Sequence, residues 1–133
     1  MRHALLSLVC AAALAGCAGD ETLHAYGAGG HTYALQSIDG VAFGERATLG
    51  FPEPGRVAGQ GPCNAFTTAQ TAPYPWLDLG PIAVTARACA ALEAERAYLQ
   101  ALDAMSTAEV TGDTLLLADD SGREMVFTRI SDG

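Results

Sequence analysis

Cys63 and Cys89 carry most of the chemical potential in the body of this chain. Two thiols can join as a structural disulfide, cycle as a redox pair or remain as buried free groups. A reactive thiol needs a Cys-x-x-Cys spacing or a basic cluster that lowers its pKa, and neither stands near these two. A bond between them would close a loop of about 26 residues, which chain-entropy reasoning values at roughly 3–3.5 kcal/mol before strain. The disulfide and the pair of buried thiols both stay open at this point. Acid–base machinery is sparse. All seven basic residues are arginine, and no histidine lies beyond His31. That removes Ser-His-Asp, Cys-His and Ser-Lys arrangements from residues 32–133. No phosphate loop and no His-x-x-x-His is present. Asp119-Asp120 is a carboxylate pair, but its position beside Ser121-Gly122 reads as a solvated hairpin tip. His24 and His31 would need further ligands on a stiffer frame to hold a metal. The expectation is a protein that is not an enzyme and uses no metal or cofactor.

The elements that must position these residues are mostly short β segments separated by turn signals. Strands are expected at Tyr33 to Ile38, Arg46 to Phe51, Arg56 to Gln60, Trp76 to Leu79 and Ile82 to Thr85. A loop is expected from Gly61 to Pro75, where Pro62, Pro73 and Pro75 fall. Thr107 to Val110, Thr114 to Ala118 and Glu124 to Arg129 form a three-strand meander, with turns at Gly112-Asp113 and Asp120-Ser121-Gly122. Ala88 to Met105 lacks Gly and Pro and is rich in helix formers. At 100° per residue, Ala88, Ala91, Leu92, Tyr98, Leu99 and Leu102 share one face, so an amphipathic helix lies on a sheet. Cys89 falls in its first turn.

Glu95 lies in the middle of that apolar face. A carboxylate aimed at a core is costly unless it is hydrogen-bonded or paired. The expectation is a buried Glu95 that accepts hydrogen bonds from backbone N–H groups or polar side chains near Cys63-Asn64. The competing outcome is a rolled helix, or partial covering, that leaves Glu95 at the sheet rim.

The N-terminus gives an address. Arg2 is followed by an apolar run from Ala4 to Leu14, too short for the ~20 residues a bilayer span needs and of signal-peptide length. Leu14-Ala15-Gly16-Cys17 then resembles the lipobox of a bacterial lipoprotein. Residues 1–16 are read as the signal peptide, with Cys17 as the acylated first residue. Several acyl chains on one residue anchor stably where one would not. Ala18 in the next position favours the outer membrane, facing the periplasm. Residues 17–31, with glycines at 19, 27, 29 and 30, read as a flexible tether that exposes His24 and His31. Residues 32–130 form the domain and 131–133 a tail.

Composition agrees with that address. Cleavage leaves about 117 residues, one domain with a single core. Loss of Arg2 takes the net charge from −8 to about −9, which repels nucleic acid and anionic headgroups. The membrane is therefore reached through the lipid and not through a basic patch. Export also places Cys63 and Cys89 where disulfides persist.

Taken together, residues 32–129 resemble the META domain, also called HslJ-like. Tyr33-Ala34-Leu35 stands where that family opens with Trp-x-Leu. Gly61-Pro62-Cys63-Asn64-Ala65-Phe66 matches its Cys-Asn-x-Phe turn. Thr85 and Cys89 match its Thr-x-x-x-Cys segment, and Glu95 follows that cysteine by six residues. The family's Gly-x-Tyr is missing around Thr68 to Gln70. The resemblance implies an α+β fold, a curved, half-barrel-like antiparallel β-sheet packed against one amphipathic helix. It implies an envelope protein, some relatives being associated with heat shock or antibiotic tolerance, and adds little mechanism. Asn64, Thr85 and Glu95 are the expected structural motif, with Cys63 and Cys89 as the disulfide. The function expected is a membrane-anchored, non-enzymatic binding or assembly module with an envelope protein as partner. The alternative is a structural or stress-tolerance lipoprotein without a discrete ligand.

Overall fold

Alternation of apolar and polar residues builds a single antiparallel sheet. The computed structural model describes residues 19–130; the leader, Cys17 and the 131–133 tail lie outside the described residues. The strands are β1 (Thr32–Ile38), β2 (Val41–Ala42), β3 (Thr48–Glu53), β4 (Arg56–Gln60), β5 (Ala65–Ala69), β6 (Ala83–Val84), β7 (Thr107–Thr111), β8 (Thr114–Ala118) and β9 (Glu124–Arg129). Their order is β6-β5-β4-β3-β1-β9-β8-β7, with β2 paired to the end of β1. Every pairing is antiparallel. The sheet does not close into a barrel, since β6 and β7 remain its two ends.

One face of that sheet is the core. Period-two alternation sends Tyr33, Leu35, Leu115, Leu117, Met125 and Phe127 inward. The single α-helix, α1 (Leu92–Ala104), lies across this face and buries Glu95, Tyr98, Ala101 and Leu102. Tyr98 is the central knob. Its ring meets Phe66 of β5 edge-on at 5.8 Å and Phe127 of β9 at 6.4 Å. Its hydroxyl donates to the Thr48 carbonyl at 2.8 Å, so the polar tip of a fully buried side chain is satisfied.

Four local expectations are corrected. The segment before His31 is not a bare tether. A 3₁₀ turn (Leu23–Tyr26) buries Leu23 completely, and Ala28 is equally buried. Gly30 N–H then bonds to the Phe51 carbonyl and Phe51 N–H to the His31 carbonyl. A single turn offers one apolar anchor, too little to register as periodicity. The Gly61-to-Pro75 loop contains a strand, β5, because Phe66 and Thr68 alternate inward between the prolines without a proline interrupting them. Trp76 to Leu79 is not a strand; it makes two isolated bridges, Trp76 to Thr107 and Leu79 to Gln70. Finally, α1 starts at Leu92 and not at Ala88, so Cys89 precedes the helix. Ala88 is exposed, while Ala91, Leu92 and Leu99 are half-buried.

Candidate functional site

Arg87, just ahead of the expected helix start, is held by Asn64. Asn64 of the β4–β5 turn is buried and places its amide against the Arg87 backbone. Its Oδ1 accepts from Arg87 N–H at 2.6 Å, and its Nδ2 donates to the Arg87 carbonyl at 2.9 Å. A side chain thus pairs with this stretch as a neighbouring strand would. Thr85 adds its hydroxyl to Oδ1 at 2.9 Å.

Glu95, 2% exposed, completes the cluster from the first turn of α1. Its Oε1 accepts from the backbone N–H of Cys63 at 3.1 Å and of Asn64 at 2.6 Å. Its Oε2 accepts from Asn64 Nδ2 at 2.7 Å. The Asn64 amide is then saturated, with two donations and two acceptances. A carboxylate at the start of a helix also suits the helix dipole. Gly61 is required beside it, because a Cβ there would collide with Glu95 Oε1 and crowd its Cγ at 2.9 Å. Cys63 and Cys89 are joined as a disulfide with Cα atoms 5.8 Å apart, which ties the same turn to the chain entering α1. The structure therefore brings Cys63, Asn64, Thr85, Cys89 and Glu95 into one cluster.

A second cluster organises the loop after β5. Gln70 is 2% exposed and uses its amide fully. Nε2 donates to the carbonyls of Ala72 and Trp76 at 3.0 and 3.1 Å. Oε1 accepts from Asp78 N–H at 2.8 Å and Ala72 N–H at 3.4 Å. The loop it holds lies along the outer edge of β7: Ala108 N–H bonds to the Pro75 carbonyl and Leu77 N–H to the Ser106 carbonyl. Tyr74 accepts Val110 N–H on its hydroxyl at 3.2 Å, and its ring stacks on Tyr26 at 4.8 Å. Tyr74, Pro75, Thr107, Glu109, Leu116 and Ala118 border a shallow groove of about 380 Å³ here.

The remaining polar residues serve turns. Asp119 Oδ1 accepts from the Ser121 hydroxyl and N–H and from Arg123 N–H. The Ser121 hydroxyl leads in holding its carboxyl below the usual carboxylate range. Asp20 accepts from the Thr22 hydroxyl and N–H and meets His24 Nδ1 at 3.1 Å; the Thr22 hydroxyl is the chief cause of its lowered pKa. His31 sits 2.8 Å from Arg129. Among the described residues, no group of three or more His, Cys, Asp or Glu is placed to hold a metal. No helix among them is long and apolar enough to cross a membrane.

Comparison with known proteins decides the family. The META domain profile matches residues 23–132. The chain belongs to the META domain family. Its start at residue 23 coincides with the buried Leu23. Two structures solved by NMR share the fold. One, a protein from Burkholderia xenovorans, is 22% identical with a TM-score of 0.60, covering 76% of this chain and 82% of that one. The other is 20% identical with a TM-score of 0.57, covering 74% and 87%. No curated protein matches.

Within this META domain, Gln70 is the residue that sequence reasoning missed. Its position shows only as the gap where the Gly-x-Tyr pattern fails. The usable signal is a buried-phase polar residue directly ahead of a loop carrying Pro73 and Pro75, which supplies few backbone partners of its own.

Proposed function

We propose that this META domain protein is a lipid-anchored envelope protein that works as a non-enzymatic binding or assembly module. The observation that carries the binding reading is how the buried polar side chains are used. Asn64, Gln70 and Glu95 are each directed at irregular loops, with the geometry given above. Such loops are held rigid on the sheet, and rigid presentation lowers the cost of engaging a partner. Anchoring is supported by Leu14-Ala15-Gly16-Cys17 after a signal-length apolar run.

The test uses the full chain expressed with its leader. Intact mass should show a mature protein that starts at Cys17 and carries acyl chains, and Cys17→Ser should remain unprocessed or become soluble. Cleavage elsewhere without acyl chains rejects the anchor. Crosslinking in the intact envelope, followed by detergent extraction, should give one stoichiometric partner. Recovery of abundant background proteins alone rejects the module and favours the stress-tolerance role.

A further inference from the structure

The aromatic residues around the Gln70 loop lie next to the point where the chain enters the domain. Trp76 is 58% exposed and Tyr26 52% exposed. Tyr26 stacks on Tyr74, two residues before Trp76, and Pro73 and Pro75 are exposed between and beside them. Tyr74 N–H donates to the Glu21 carbonyl at 2.7 Å. Asp20 binds Thr22 and His24, and Leu23 is buried, so the chain is fastened from residue 20 onward. Cys17 is four residues ahead of Glu21. Fully extended, that stretch spans at most ~14 Å.

We infer that the Tyr26, Tyr74 and Trp76 surface is the membrane-facing side of the domain, seated in the headgroup region of the bilayer that holds Cys17. The inference rests on the anchored reading. A lead of this length keeps Glu21, and Tyr74 bonded to it, within ~14 Å of any lipid on Cys17, close enough for the aromatic surface to reach the headgroup zone. Tyr and Trp rings favour that zone, because each has an apolar body and a polar tip. The neighbouring charges define the headgroup. Glu21 and Asp78 are exposed at the same edge and the whole chain is acidic, so zwitterionic lipid fits and anionic lipid is disfavoured. Gln70 fixes the loop through both of its amide atoms, so the backbone that carries Trp76 is held in place. The domain is thereby held at one orientation on the bilayer.

Trp76 is the one tryptophan of the chain and reports directly. The acylated protein is purified in detergent and reconstituted into phosphatidylethanolamine–phosphatidylcholine vesicles, with its intact mass recorded. The expected result is blue-shifted Trp76 emission, protection from iodide, and quenching by phospholipid brominated high on its acyl chains. Tyr26→Ser, which keeps the indole, should weaken that quenching. The soluble, leader-free form of Cys17→Ser mixed with the same vesicles should keep a water-like spectrum. Water-like emission with full iodide access in acylated, vesicle-bound protein overturns the inference and leaves the anchor standing. A mass without acyl chains overturns the anchor and the inference with it. Protection that appears only on adding a soluble envelope protein also overturns it and assigns the surface to a protein partner.

Discussion

Replacing Glu95 by Gln tests the buried cluster with almost no change in volume. Oε1 is retained and still accepts from Cys63 and Asn64 N–H. The new amide nitrogen, however, meets Asn64 Nδ2, a donor now 2.7 Å away. Asn64 cannot flip to relieve this, because its Oδ1 already accepts from Arg87 N–H and the Thr85 hydroxyl. The substitution loses one charge-assisted hydrogen bond, worth about 1.5–3 kcal/mol, and weakens two others to neutral strength. A total loss of roughly 2–4 kcal/mol is expected, in line with breaking one partner of a buried polar network. Glu93→Gln is the control: Glu93 is exposed, and its change should stay within about 0.5 kcal/mol. Urea denaturation of the oxidised proteins measures both, through midpoints compared at equal m-values. In a double-mutant cycle, Asn64→Asp should cost less in the Glu95→Gln background than in the native chain: in both it loses the donation to the Arg87 carbonyl, but only opposite the native Glu95 does it also set two carboxylates together. A Glu95→Gln midpoint equal to that of Glu93→Gln would refute the reasoning.

Three further outcomes are expected. Gln70→Leu leaves the N–H groups of Ala72 and Asp78 without their side-chain acceptor, so amide exchange at Asp78 should accelerate sharply while β8 stays protected; unchanged protection there would disprove the clamp. Removing the disulfide as Cys63→Ala with Cys89→Ala should cost about 2–4 kcal/mol, read as a lower urea midpoint, and an unchanged midpoint would contradict it. Burial pushes the Tyr98 phenol far above its ordinary 10.0. Because the folded value exceeds the unfolded one, its contribution is complete below about pH 10 and lost as pH rises past it; stability should therefore fall on the alkaline side, less steeply in Tyr98→Phe, and equal slopes between about pH 9 and 11 would refute this.

What could be read in advance followed a physical pattern. The closing meander and β1 were legible because alternation over five to seven residues directly encodes an inward face. Glu95 was legible because a charge amid an apolar stripe must be explained by partners, and Cys89, one and a half turns earlier, would bring the Cys63-Asn64 loop to that end of the helix. Proline density at 62, 73 and 75 hid β5, since those residues flank the strand without entering it. The first turn of the expected helix does not form, and Arg87, just ahead of it, bonds through both backbone groups to Asn64, a tertiary contact that propensity does not contain. Leu23 and Gln70 act singly, and a lone anchor leaves no period to detect.

The place of β9 has a consequence for when the sheet can form. The last strand made is bonded to β1 on one side and β8 on the other, at the middle of the sheet. A nascent chain that stops before Glu124 leaves both neighbours with bare edges and the Phe127 and Met125 sites of the core vacant. Synthesis runs from the N-terminus, so the sheet is complete only once the residues of β9 have been made.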